Sequence, residues 1–352
     1  MKNFLLKSVV IFFVVLLVLA FRFVPSYHYD TFNVFHWKNR RFASFIDSNK
    51  NFIKTKYILN NPKKFNAFIF GSSRVGYIPS DVLPREIGET KLNWYNMTYN
   101  LGLTCENLMS LETFLKNDVD VKAVMVGFDE VDMFVPIEHH YKDLMTMQYQ
   151  MYEEKGLAFY LPFLATKDDP SIVKEIKNYD YEAHKQETED FYNYGWFGGP
   201  FLTENPKLDE YDVSEYWKTY HYTQKDAWKD LTDLVDFCER NDIELILFTN
   251  PLYQKLYRHV VAEGYFDFLR NVAQKCEFYY FTTLNKYTKD ARYFMDWSHY
   301  RPAMGLIITK YIFGTEDERA EIRRDAEDDL FGVKINFSNV DEIIERLNQQ
   351  LQ

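Results

Sequence analysis

The chain opens on its longest apolar run: Ser8 to Phe21 is an almost unbroken series of Val, Ile, Phe and Leu, bracketed by Lys7 and Arg22. That run alone is short for a bilayer. With both cations reaching toward water, Asn3 to Val24 covers about 33 Å as a helix, enough to span. A cleaved signal peptide is the competing expectation, but Val24-Pro25-Ser26 is a poor substitute for a small-residue cleavage site, so an uncleaved anchor is expected. Further along, short apolar runs of strand length alternate with stretches of helical period. Residues 67 to 70, 92 to 96, 121 to 127, 243 to 248 and 278 to 281 read as strands. Residues 104 to 116, 225 to 241 and 303 to 313 read as helices, the first with Thr104 as its N-cap and Leu108, Leu111 and Leu115 on one stripe. This alternation predicts an α/β fold, a parallel sheet covered by helices on both faces. Ligands of such sheets sit beyond the carboxyl ends of the strands, where Ser73, Gly102 and Asp129 fall.

The same pattern divides the chain into a membrane anchor (1–25), a polar and aromatic linker (26–65), an α/β domain (66–314) and a charged, helical C-terminal extension (315–352) that ends in an amphipathic helix with Asn339 as its cap. In the linker, Tyr27, Tyr29, Phe35 and Trp37 suit either an interfacial belt or packing on the domain, and packing is the favoured expectation. An insertion at about 131–222 is far longer than an ordinary connection. Aromatic residues make up 18% of the chain, and the insertion holds many of them, including Tyr149, Phe159, Tyr192, Trp196, Phe197 and Trp217. They suit a lid that stacks on sugar rings, or a small core of the insertion's own. The core reading is favoured, with a few rings near the serine and residues 195 to 200 as the bent, mobile portion.

Composition removes some classes of function. A net charge of −11 argues against nucleic acid as a partner. Cys105, Cys238 and Cys276 are odd in number and scattered, which suggests neither a disulfide framework nor a metal site. His139 and His140 are adjacent and so point apart; without a carboxylate cluster they are expected to be surface histidines, and no metal or other cofactor is expected.

Chemistry enters at two places. The strand at 67–70 runs into Gly71, Ser72 and Ser73, one way to hold a serine hydroxyl at the end of a sheet. Far downstream, Asp296 precedes His299 by three residues, a spacing at which a carboxylate can orient an imidazole that in turn deprotonates a serine.

Phe70-Gly71-Ser72-Ser73-Arg74 resembles the first block of the SGNH (GDSL-type) hydrolase superfamily, and on that match Ser73, not Ser72, takes the nucleophile position. Asn100-Leu101-Gly102 resembles the second block, whose glycine amide joins that of the serine in an oxyanion hole. Asp296-Trp297-Ser298-His299 resembles the last. The third block departs: Val126-Gly127-Phe128-Asp129 carries Asp where the family has an oxyanion-binding Asn. The resemblance implies a three-layer α/β/α, flavodoxin-like SGNH fold and a catalytic triad of Ser73, His299 and Asp296. Variants of this kind resemble the membrane-anchored branch near the D-alanyl-lipoteichoic acid biosynthesis and alginate-acetylation proteins. That branch implies a serine esterase or O-acyltransferase acting on a bacterial envelope polysaccharide, with a membrane-bound O-acyltransferase as partner. The alternative, from another class, is a non-catalytic glycan-binding or assembly factor that keeps the fold. Arg74 either grips an anionic substrate group or pairs with a structural carboxylate such as Asp129. Asp129 itself is expected to disfavour hydrolysis relative to acyl transfer, because a carboxylate opposes a developing oxyanion. Lys2 and Lys7 precede the anchor while Arg22, Lys38, Arg40 and Arg41 follow it, so the placement of the domain outside the cytoplasmic membrane rests on the resemblance and not on charge.

Overall fold

Each expected strand forms, shifted by a residue or two at its ends, because each is a run of residues apolar on both faces. The computed structural model describes residues 2–37, 48–128, 130, 135–210, 212–213 and 224–352. Strands β1 (Ala67–Gly71), β2 (Trp94–Asn96), β3 (Ala123–Phe128), β4 (Glu244–Thr249) and β5 (Phe278–Tyr280) are parallel, in the order β2-β1-β3-β4-β5. A sixth strand, β6 (Val333–Ile335), closes the edge antiparallel to β5. Alternation along β1 and β3 divides two cores. Phe68, Phe70, Val124 and Val126 face one; Ala67, Ile69, Ala123 and Met125 face the other. The molecule is thus a mixed α/β protein built on a mainly parallel six-stranded sheet.

The first helix, α1 (Lys2–Tyr29), contains a segment, Lys7–Tyr29, in which an 18-residue stretch has mean hydropathy 2.6 and is unburied by the rest of the protein. Among the described residues it is one helix long and apolar enough to cross a membrane. At its far end Arg22 and Ser26 donate to the carbonyls of Ala165 and Thr166, which docks the insertion against it.

The linker is part of the domain. Asn49 caps α2 (Lys50–Leu59) by accepting from the Phe52 amide at 2.9 Å, and its amide nitrogen donates to the carbonyls of Leu144 and Met147. Phe52, Ile53 and Ile58 are fully buried. The insertion's rings follow the same logic: Tyr149, Phe159, Phe163, Phe191 and Tyr192 are buried together with Phe52 and Tyr57, in the main core and not in a separate one.

The charged tail also differs from a free extension. Thr315 and Glu318 form a capping box for the helix Glu316–Ala326, after which β6 joins the sheet and α6 (Val340–Leu351) buries Ile343, Ile344 and Leu347. Two expected caps change. Asn339 makes no side-chain bond to α6; its Oδ1 accepts from the Asn336 amide in the preceding turn. Thr104 lies inside α3 (Thr104–Lys116), whose N-cap is Leu103, because the Glu106 carboxylate reaches back to the Leu103 amide. The other helices that flank the sheet are α4 (Gln224–Arg240) and α5 (Pro302–Phe313).

Candidate active site

The serine turn is shaped by crowded backbone. Gly71 ends β1 at φ +142°, and a Cβ there would lie 2.4 Å from the Gly127 carbonyl oxygen. A Cβ on Gly102 would lie 2.4 Å from the Gly71 carbonyl oxygen. The ends of β1 and β3 and the loop after β2 therefore touch main chain to main chain, which only glycine permits. This is where the chain switches from one side of β1 to the other, the place at which doubly wound sheets hold ligands. Ser72 is buried and extended, and Ser73 starts a tight helical turn, Ser73–Tyr77. Asn96 at the end of β2 pins that turn: its Nδ2 donates to the Val75 carbonyl at 2.8 Å and to that of Ile78 at 3.2 Å.

Against this turn lies a second short hairpin. Phe294 and Tyr300 form an antiparallel bridge, the Met295 amide donates to the His299 carbonyl and the Arg301 amide to that of Tyr293. The Tyr300 ring points inward, where its hydroxyl donates to Asn250 Oδ1 at 3.0 Å beyond the end of β4. His299, its neighbour, faces the opposite way, toward Ser73. Ser73 Oγ and His299 Nε2 are 2.7 Å apart, and His299 Nδ1 is 2.8 Å from Asp296 Oδ2. Oδ1 of the same carboxylate accepts from the amides of Ser298 and His299, both at 2.7 Å. Burial pushes the Asp296 carboxyl up, but the bonds from His299 and these two amides outweigh it and hold the group below the usual carboxylate range.

Arg74, directly after the serine, turns away from solvent and is 1% exposed. Its Nη1 donates to Glu130 Oε2 at 3.1 Å and its Nη2 to Oε1, while Nε donates to the Ser298 carbonyl at 2.9 Å and Nη2 to Ser298 Oγ at 2.7 Å. The guanidinium is spent on a carboxylate and on the residue between Asp296 and His299, which leaves it no geometry for gripping a substrate anion. Glu130 follows Asp129 in the chain, and no local pattern marks it as a buried partner of Arg74. Asp129 itself lies outside the described residues.

On the other flank, the Gly102 amide is 3.3 Å from the Tyr99 carbonyl, a long bond, and Leu101 adopts φ +55° to make the turn. The Ser73 amide, first in its turn, has no acceptor among the described residues. Asn100 Nδ2 contacts Met145 Sδ at 3.2 Å, tying the loop to the insertion. Behind it Glu106 is fully buried and accepts from Tyr99 Oη at 2.5 Å and from His140 Nδ1 at 2.6 Å, with Gln148 Nε2 also upon it. His140 is thus an interior residue and not the surface histidine expected. Its sequence neighbours gave no sign of the carboxylate, which comes from α3.

Lys54 of α2 is another interior surprise. Its ammonium donates to the carbonyls of Asn96, Thr98 and Gly195 at 3.0, 2.6 and 2.6 Å, and it stands 4.9 Å from the Phe197 ring centroid. Burial, with the Lys50 charge adding, pushes it well below the usual lysine range, while three carbonyl oxygens and the ring favour the cation. Phe197 in turn packs edge-on to Tyr77, 5.6 Å between centroids, and Tyr77 edge-on to His299 at 6.2 Å. Among the described insertion rings, Phe197 reaches the wall of the site. The chain bends here as expected, with Gly195, Gly198 and Gly199 at φ +80°, +75° and +108°, and within the bend Gly195 is held by Lys54 and Phe197 by a 2.7 Å bond from its amide to the Gly76 carbonyl.

No protein-family model matches the chain, and no curated protein matches it either.

Proposed function

We propose that the protein is a membrane-tethered serine esterase or O-acyltransferase that acts on acyl groups of an extracytoplasmic polysaccharide. The observation that carries this reading is the continuous relay from Ser73 Oγ through His299 Nε2 and Nδ1 to Asp296, with steps of 2.7 and 2.8 Å. Ser73 attacks the ester carbonyl as His299 takes its proton, and the ionised Asp296 holds the imidazole in the tautomer whose Nε2 is the acceptor. The amides of Ser73 and Gly102 receive the oxyanion. Collapse of the tetrahedral intermediate expels the alcohol, protonated by His299, and leaves an acyl-Ser73 that water or a sugar hydroxyl resolves. The likeness of the Ser73, Gly102 and His299 segments to SGNH blocks supports the same fold family and the same roles. It also supports a membrane-bound O-acyltransferase as acyl partner and a bacterial cytoplasmic membrane location.

A fluorophosphonate probe tests the chemistry. Labelling is expected in the parent and in Ser72→Ala, and is expected to be lost in Ser73→Ala, which has no hydroxyl to form the phosphonate ester. Equal loss in both variants would sink the assignment of Ser73, and no labelling of the parent would turn the reading toward a non-catalytic glycan-binding factor. Location is tested by alkaline phosphatase fused after residue 60, which is expected to be active; an active cytoplasmic reporter in its place would reverse the orientation.

A further inference from the structure

The hairpin that presents His299 also presents a second charged side chain that the relay does not use. Between the bridged Tyr300 and the first turn of α5, Arg301 is extended, at φ −88° and ψ 164°. In extended backbone, residues two apart face the same side. Tyr300 points into the protein onto Asn250, so His299 and Arg301 share the opposite face, the one toward Ser73. Tyr77 stands on that face as well. Its ring is edge-on to His299 at 6.2 Å, and its backbone carbonyl is where a Cβ on Gly305, one turn after Arg301, would lie 2.5 Å away.

Arg301 is only 8% exposed, yet its Nε has no hydrogen-bond partner and its guanidinium makes no ion pair among the described residues. A buried Nε–H without an acceptor is costly, and folded proteins avoid it unless something else completes the pairing. Arg74, which directly follows Ser73, shows the contrast, with Glu130 and Ser298 occupying its donors. The Tyr77 hydroxyl feels charges of both signs on this face. Burial pushes it up to about 12, with Asp296 adding to the shift and Arg301 opposing it. No carboxylate of the described residues answers Arg301.

We infer that Arg301 is an anion-binding arm of the Ser73 site, receiving a carboxylate or phosphate carried by the sugar whose ester is attacked. The inference rests on the esterase reading for its substrate and on the hairpin geometry for its position. A planar guanidinium suits either anion bidentately, and the neighbouring Tyr77 and Phe197 rings supply a face for the sugar. The enzyme is then selective for acidic glycans, with the ester on the same sugar as the anionic group or on the next one.

The test compares the full chain in detergent with Arg301→Gln and Arg301→Lys. The substrates are an O-acetylated methyl glucuronoside, its uncharged methyl ester, and an O-acetylated sugar phosphate. The parent is expected to favour a charged ester over the uncharged one in kcat/KM by about 10- to 100-fold, the range of one charge-assisted hydrogen-bonded pair. The charged arm that shows the preference identifies carboxylate or phosphate. In Arg301→Gln that ratio is expected to fall toward one, and Arg301→Lys is expected to recover part of it. A ratio that is the same in parent and Arg301→Gln overturns the inference, as does a parent with no preference. Fluorophosphonate labelling of Ser73, which needs no sugar, reports on the triad. If labelling disappears in Arg301→Gln, the residue is structural and the inference fails. If the parent turns over none of the esters, the esterase reading fails separately, and calorimetry with methyl glucuronoside and with the sugar phosphate decides the arm. Binding lost in Arg301→Gln sustains it, and no binding to the parent ends it.

Discussion

Glu130→Gln perturbs the site from behind without touching the serine, histidine or aspartate. Arg74 and Glu130 are 1% and 0% exposed, so their charges are compensated by one another and not by water. Glutamine keeps the size and one acceptor oxygen but turns the other into a donor aimed at a guanidinium. One charge-assisted bond is lost, about 1.5–3 kcal/mol, and the cation left behind is under-compensated in a dry place. Breaking a buried pair from one side costs about 3–5 kcal/mol in total. The effect reaches catalysis because the same guanidinium holds the Ser298 carbonyl and hydroxyl, and Ser298 lies between Asp296 and His299. A shift of about 1 Å in that loop is enough for a loss of about 10² in rate. Urea unfolding of the detergent-solubilised chain gives the stability, and the rate of fluorophosphonate labelling gives the activity. The double variant Arg74→Met, Glu130→Leu separates the two effects. Two apolar residues in place of the pair are expected to restore stability to within about 1 kcal/mol of the parent, while labelling stays slow because Ser298 has lost its donors. A Glu130→Gln variant within about 1 kcal/mol of the parent, or a double variant with parental labelling, would refute the reasoning.

Two further outcomes follow from groups on either side of the site. Asp296→Asn is expected to lower labelling by about 10⁴, as the histidine loses the carboxylate that selects its tautomer. Because the Asp296 carboxyl is held below its unfolded value, its contribution to stability is present above about pH 4 and is lost as pH falls through the depressed folded value. The stability gap between parent and Asp296→Asn should therefore narrow on acidification below about pH 4, and a gap that widens there would contradict the assignment. Lys54→Met strands three carbonyl oxygens in the interior, at about 1–3 kcal/mol each, and is expected to destabilise the chain by at least about 3 kcal/mol in a urea melt, a change under about 1 kcal/mol showing that water or neighbours satisfy them.

What could be read from the chain in advance was local. β1, β3 and β4 are apolar on both faces and announce themselves; Asp296 and His299 lie three residues apart, so their contact needs no knowledge of the fold. Glu130, Lys54, His140 and Arg301 were invisible for one common reason. Each is a polar residue whose burial depends on segments far away in the chain. Lys54 needs the carbonyls of residues 96, 98 and 195, and His140 needs a glutamate on α3. The expected N-cap at Thr104 failed for a subtler reason: side-chain chemistry favoured Thr, but the Glu106 carboxylate satisfied the amide one residue earlier. β6 was masked by the charged helix before it, since a strand of three residues carries too short a pattern to stand out.

Two buried cations divide the labour of holding the site, and this bears on how substrate is admitted. Arg74 ties the serine turn to the Asp296–His299 hairpin, so the relay is fixed by contacts within the α/β domain. Lys54 ties the end of β2, beside the Gly102 loop, to Gly195 of the insertion, and Phe197 follows Gly195 onto Gly76 and Tyr77. The ring that walls the site is consequently anchored at both its backbone and its face. Moving it away would leave the Gly195 carbonyl and the Gly76 carbonyl without their donors, at about 1–3 kcal/mol for each. Closure by a swinging aromatic lid would have to overcome both losses before any sugar contact repaid them. A wall built in advance avoids that cost: it meets the sugar with Phe197 and Tyr77 already in place, and its selectivity then depends on which groups of the glycan fit beside a fixed histidine.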